Sequence, residues 1–344
     1  MVSLLLVAVV VTFLLGVLLV YVPAALGQDA GDGSAAPPAA SAESLADEIE
    51  ARLAATGVYC LPAGEHVIDR PVRVRSRQRL SGSGLASVLR YKGPGDVAVY
   101  FGETEAAAYA IELCDLTISG GGVVAEHFGQ HSRLRNVWIA NAPGDGLALR
   151  GVGDRFAVVD LVVWGAAGAG VRVSAAGPNN GLMFIRPSVQ ACGGPGLILE
   201  TVAETALLYK PLIRDGTIQG NAKAPADGTA GVEVLIRGWV QRPHLDNVWI
   251  ENGKRDVVGL RVEGRGFVGA SGPIVTRRPA WLRVSGDVGL LTRAAELVDC
   301  WECDTAELIT PRGKVYWRSA ADGVTRSTYT TAPGGAAVGE AGLN

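Results

Sequence analysis

The tetrapeptide Asn-Val-Trp-Ile occurs twice, at Asn136-Val137-Trp138-Ile139 and at Asn247-Val248-Trp249-Ile250. Two variants, Asp115-Leu116-Thr117-Ile118 and Asp160-Leu161-Val162-Val163, keep its polar entrance and alternating apolar positions, and segments starting at Arg186 and Lys210 fit the same register. Alternation at period 2 places every second residue of a strand on one face. If Val137 and Ile139 point inward, Trp138 points outward, in a column with Thr117, Val162, Ser188 and Trp249. A second outward column runs through Ala140, Trp164, Gln190, Arg214 and Glu251. A third, at the strand entrance, holds Asp115, Asn136, Asp160, Arg186, Lys210 and Asn247. Indole faces beside hydrogen-bonding groups suit sugar rings, whose C–H face stacks while hydroxyls find polar partners. Trp138, Trp164, Trp249 and Gln190 are therefore candidate glycan contacts. Arg186, Lys210 and Arg214 would add affinity for a carboxylated or sulfated glycan. The competing reading is structural: Trp fills space under turns, and the Asp/Asn column satisfies backbone amides where each strand begins.

The carboxylates Asp115, Asp160 and Glu251 are the candidates for acid–base chemistry. Neighbouring strands lie about 4.8 Å apart, so Asp115 and Asp160, two repeats apart, should be separated by roughly 9–10 Å. That is the upper edge of the range, about 6.5–9.5 Å, in which two carboxylates invert a glycosidic bond. An ion pair between Asp160 and Arg186 would lower the acid's pKa and make it a poor proton donor. As a calcium site the column is thin, because Asn136 interrupts the two acids. His66, His127, His131 and His244 are scattered, and Gly129 argues against a helical metal pair at His127 and His131. Neither Gly82-Ser83-Gly84 nor Gly120-Gly121-Gly122 has the context of a phosphate loop. No metal or cofactor is expected. Of five cysteines, Cys60, Cys114 and Cys192 read as small buried hydrophobes; Cys300 and Cys303 have redox or zinc spacing without the partners either role needs, and are read as a local disulfide or two packed thiols.

The elements that must position these residues follow from the period. Spacings from Asp115 to Lys210 are 21, 24, 26 and 24 residues, and three units carry a second landmark at Gly146-Leu147, Gly170-Val171 and Gly196-Leu197. Each unit holds at least two short alternating strands bounded by Gly, Pro, Asn and Asp turns. There is no room for a crossover helix, and a propeller blade needs about 40 residues. A stacked coil of about two dozen residues fits, so the fold class is all-β, a right-handed parallel β-helix. Ahead of it a short helix is expected, capped by Ser44, with Leu45, Ile49 and Leu53 on one face and Gly57 at its end. Residues 44–265 are assigned to the β-helix, 266–332 to last coils and a C-terminal cap, and 333–344 to a tail.

Leu61-Pro62-Ala63-Gly64-Glu65-His66-Val67-Ile68 and Leu80-Ser81-Gly82-Ser83-Gly84 resemble the opening strands of the pectate-lyase-like superfamily, over roughly residues 44–265. The resemblance implies a parallel β-helix whose first helix covers the open end of the core. It does not imply an activity. Of the polygalacturonase motifs only R-x-K is present, at Arg90-Tyr91-Lys92 and Arg312-Gly313-Lys314. Val248-Trp249-Ile250-Glu251-Asn252 is similar to the pectate lyase V-W-I-D-H strand, with Glu and Asn in place of the acid and the His.

Residues 2–22 are almost wholly apolar, with no charge before Asp29. About 20 apolar residues can span a bilayer, and the missing basic n-region favours an uncleaved transmembrane anchor at 1–27 over a signal segment. Residues 28–43 read as a flexible linker. A hydrophobic content of 48% with 19% charged residues marks a folded chain, and a net charge of −3 without a basic stripe excludes nucleic acid as a partner. The expectation is a membrane-anchored, surface-exposed β-helix, spike- or adhesin-like, on a cell envelope or virion. Its partner would be polysaccharide or a cell-surface glycan, bound without turnover. The alternatives are a polysaccharide lyase or glycoside hydrolase acting on an acidic glycan, and secretion after signal cleavage. A homo-trimer or larger assembly is left open.

Overall fold

The computed structural model describes residues 44–103, 108–222, 231–241, 243–251 and 257–271, and strands 274–277, 280–290, 298–301, 305–310, 313–319, 325–331 and 338–342. The expected anchor and linker, residues 1–43, lie outside these. Among the described residues no helix is long and apolar enough to cross a membrane.

Helix α1, Leu45–Thr56, starts where Ser44 Oγ accepts the Ala46 amide at 3.2 Å, and ends where left-handed Gly57 donates its N–H to Leu53 O. Its acids Asp47 and Glu50 both meet Arg70. Ala46, Ile49 and Leu53 are fully buried in the same cluster as Leu61, Ile68 and Val72, so the helix closes the first end of the core; Leu45 packs only partly against it.

Beyond α1 the chain winds into coils whose strands pair in parallel. One ladder stacks 112–114, 133–135, 157–159, 183–185, 212–214 and 244–246. A second stacks 116–119, 137–140, 161–164, 188–190, 217–219 and 249–251. A third stacks 122–126, 147–150, 171–175, 197–201 and 232–237. Side chains at every second position point inward to one continuous core, including Leu116, Val137, Leu161, Val189, Ile218 and Ile250. At one turn Phe101 meets Phe156 edge to face at 5.6 Å between ring centroids, and Phe128 lies tilted against Phe156 at 4.8 Å. Parallel pairing continues until 283–284 meets 307–308; strands 305–310, 313–319, 325–331 and 338–342 then form an antiparallel meander. Residues 338–342, expected within a tail, are its last strand.

The coils turn at single residues in the left-handed backbone region. One corner stacks Asp115, Asn136, Asp160, Arg186, Asp215 and Asn247; a second Gly120, Asn141, Gly165, Ala191 and Gly220; a third Ala110, His131, Arg155, Gly181 and Lys210. Pairing passes through them without a break: the amides of Asn141, Gly165, Ala191 and Gly220 donate to the carbonyls of Trp164, Gln190, Gln219 and Glu251 one coil on. From the first corner to the second is always five residues, and from the third to the next first corner is again five. The remaining side grows, from 11 (Gly120 to His131) through 14 and 16 to 19 (Ala191 to Lys210).

This geometry corrects the sequence register at one coil. Lys210 belongs to the third corner, with Arg155 and Gly181, and Asp215 takes the place expected for it, so the true spacing from Arg186 is 29 residues rather than 24. The slip has a physical origin. Arg186-Pro187 and Lys210-Pro211 are both left-handed corner residues followed by proline, at different corners of the coil. Arg214 moves with Lys210: it pairs with Ile185 in the first ladder, not with Gln190 in the second.

Candidate functional site

The second ladder carries the outward column expected for Trp138. Its order is Thr117, Trp138, Val162, Ser188, Thr217 and Trp249, and beside it run Ser119, Ala140, Trp164, Gln190, Gln219 and Glu251. Thr217 and Gln219 were missed at the sequence level through the slip. Their signal was present, since Asp215-Gly216-Thr217-Ile218 repeats the polar-x-x-aliphatic pattern of Asp115-Leu116-Thr117-Ile118.

Two of the three tryptophans are open. Trp164 and Trp249 are 46% and 41% exposed, among the few large apolar side chains left in solvent. Trp138 is half-buried, and its buried indole Nε1 has no hydrogen-bond partner. Trp164 and Trp249 lie three rungs apart, about 14–15 Å along the axis. Between them stand Ser188, Gln190, Thr217 and Gln219, all half-buried. Gln190 Nε2 donates to Ser188 Oγ at 2.9 Å, while Gln219 Nε2 and Trp249 Nε1 donate to Glu251 Oε2 at 3.1 and 3.0 Å. These bonds fix the amides and the second indole on a flat ladder. The strip is a polar floor with an aromatic plate at each end.

The two arginines sit beside this strip, each with a carboxylate. Arg186 holds Asp160 through two bonds, Nε at 2.6 Å and Nη2 at 2.8 Å, which hold its guanidinium pKa above the usual value. Arg214 donates to Asp246 at 2.7 Å. Lys210, at its separate corner, lies over the Tyr209 ring at 4.9 Å.

The three candidate acids are not brought together. Asp115 accepts Arg135 Nη2 at 2.6 Å and Asn136 Nδ2 at 3.0 Å. Partial burial pushes its carboxyl up, but the Asn136 hydrogen bond and the Arg135 charge outweigh it and hold Asp115 below the usual carboxylate range. Asp160 is two rungs away and engaged by Arg186; Glu251 lies three rungs beyond Asp160, in the other outward column of the second ladder. Each therefore lies two or more rungs from the other two. Among the described residues no His, Cys, Asp and Glu group could hold a metal ion. Cys114 and Cys192 are buried thiols, as expected, with burial pushing Cys114 up; Cys60 is exposed instead, because Tyr59 and Leu61 on either side of it face the core and alternation turns it outward. Cys303 lies outside the described residues.

No protein-family model and no curated protein matches the chain. Solved structures do. ORF18 of Geobacillus virus E2 aligns with a TM-score of 0.54 at 13% identity, over 80% of this chain and 60% of that one. The enzymatically active domains of tailspike proteins 2 and 4 of bacteriophage CBA120 align with TM-scores of 0.52 at 11% and 13% identity, over 76% and 75% of this chain. The chain shares the parallel β-helix fold of these proteins. The β-helix spans 60% of the length of the first of these proteins and 44% and 42% of the other two. At such identities the likeness is one of fold, and the chemistry of this β-helix rests on its own side chains.

Proposed function

We propose that this β-helix is a surface-exposed polysaccharide-binding protein, of a virion or a cell surface, that recognises its ligand along the strip from Trp164 to Trp249 without turning it over. The observation that carries the reading is the pair of open indoles at the ends of a floor of hydroxyls and primary amides. That arrangement presents stacking faces and hydrogen-bonding groups at fixed intervals to an extended sugar chain. The fold shared with two phage tailspikes and a viral protein supports a place on a particle or envelope surface, and the apolar residues 2–22 would tether it there. Binding without turnover is supported by the acids: Asp115 and Asp160 are tied to arginines, and the three candidates stand two or more rungs from one another.

The test is titration of the full chain against an oligosaccharide panel, with reducing-end and unsaturated-uronate release followed in the same samples. Trp164→Ala and Trp249→Ala should each weaken binding about tenfold, the usual scale for a buried aromatic anchor. Product release abolished by Asp160→Asn or Glu251→Gln would replace recognition by catalysis, as in the tailspike domains described as enzymatically active.

A further inference from the structure

We infer that the strip takes a neutral glycan, bearing hydroxyl or N-acetyl groups, and selects against carboxylated or sulfated chains. This rests on the reading of the strip as a glycan site, and it reverses the sequence-based expectation, which set three cations beside the tryptophans.

The first ground is where those cations went. Lys210 left the strip altogether, for another corner of the coil. Arg186 presents its fork to Asp160, and Arg214 donates to Asp246. A bidentate guanidinium–carboxylate pair leaves little of the planar fork for a second carboxylate or a sulfate. The second ground is the balance of charge. Along the strip and its adjoining corner, between the coils of Trp164 and Trp249, the described residues supply two guanidiniums, Arg186 and Arg214. They supply four carboxylates: Asp160, Asp215, Asp246 and Glu251. Register sets Arg277 beside Glu251 one rung past Trp249, outside the span. A polyanion laid along this face meets net like charge, which costs affinity and slows encounter.

The third ground is the floor itself. Ser188, Gln190, Thr217 and Gln219 carry no charge. A primary amide has two N–H donors and a carbonyl acceptor, and the bonds from Gln190 to Ser188 and from Gln219 to Glu251 each use one donor. Donor and acceptor are thereby offered side by side, which matches hydroxyls and acetamido groups and gives a carboxylate no counter-ion.

The deciding experiment titrates the full chain with four hexasaccharides, of glucose, N-acetylglucosamine, galacturonate and mannuronate, using calorimetry and tryptophan fluorescence at low and high salt. At least one neutral hexamer should bind, with an affinity nearly independent of salt, and the uronates should bind about tenfold or more weakly, gaining affinity as salt screens the repulsion. In Asp160→Asn, which releases Arg186 and keeps a side chain tolerant of the left-handed corner, the uronate-to-neutral affinity ratio should rise about fivefold. Uronate affinity equal to or above neutral, falling with salt, would overturn the selectivity while leaving glycan binding in place. Binding of no hexamer, or binding unaffected by Trp164→Ala and Trp249→Ala, would instead remove the strip as a glycan site and this inference with it.

Discussion

Asp115 sits at a left-handed corner, φ 57°, with its carboxylate between Arg135 and Asn136. Asparagine tolerates that backbone, so Asp115→Asn removes the charge without adding strain. Arg135 is partly in solvent, and screening limits the loss to about 1 kcal/mol at neutral pH. The folded state holds this carboxyl below its unfolded value, so the stabilisation is complete above about pH 3.9 and vanishes as pH falls through the lower folded value. Thermal melts across that acid range should show wild type and variant converging at the acid end; a gap that persists there would mean the charge is not its source. At this scale the sequence was partly legible. The Asp160–Arg186 pair could be foreseen because both types recur at one register position. The half-buried state of Trp138 could not, since an outward position does not say how closely its neighbours cover it.

At the scale of elements, the strands were easier to read than the corners joining them. Alternation identified the second ladder and four of its coils, and glycine landmarks marked the third: a Cβ on Gly146 or Gly170 would fall on Val163 or Val189 of the facing strand. The corners hid because a left-handed residue need not be glycine. Arg, Lys, Ala, Asp and Asn all occupy these positions, and two of them before proline imitated one another. Such residues hold about 1–2 kcal/mol of backbone strain unless they are glycine, with Asn and Asp better tolerated. Ala191→Gly, at φ 60°, should therefore stabilise by up to about 1 kcal/mol after glycine's greater freedom in the unfolded chain is subtracted. Gly220→Ala, with nothing within 4 Å of the new Cβ, should cost about 1 kcal/mol through strain alone. Gly165→Ala should cost more, because its Cβ would also sit 2.9 Å from Asn141 Oδ1. Denaturant midpoints of the three variants give the order; equal costs at Gly165 and Gly220 would refute the part assigned to contact.

Across the whole molecule, the core is one column closed at its first end by α1. Leu53→Ala should lower stability by about 2–5 kcal/mol through the cavity it leaves, and should promote association by loosening the cover over an open ladder edge. Denaturant unfolding and light scattering would follow the two effects, and a stable monomeric variant would argue that the helix is not the closure. In the coils from Ala110 to Gly220 two sides are five residues long, while the third varies from 11 to 19. A single residue inserted on a short side would turn inward side chains outward, whereas a loop on the long side closes at small entropic cost. A Gly-Ser hexapeptide placed after Ala203, beside exposed Val202, should therefore shift Tm by no more than about 3 °C, while one alanine inserted after Gly216 should abolish cooperative melting. Lineages of such a protein could thus exchange whole segments along one flank and so vary what that flank meets, while the opposite flank keeps an unaltered pitch.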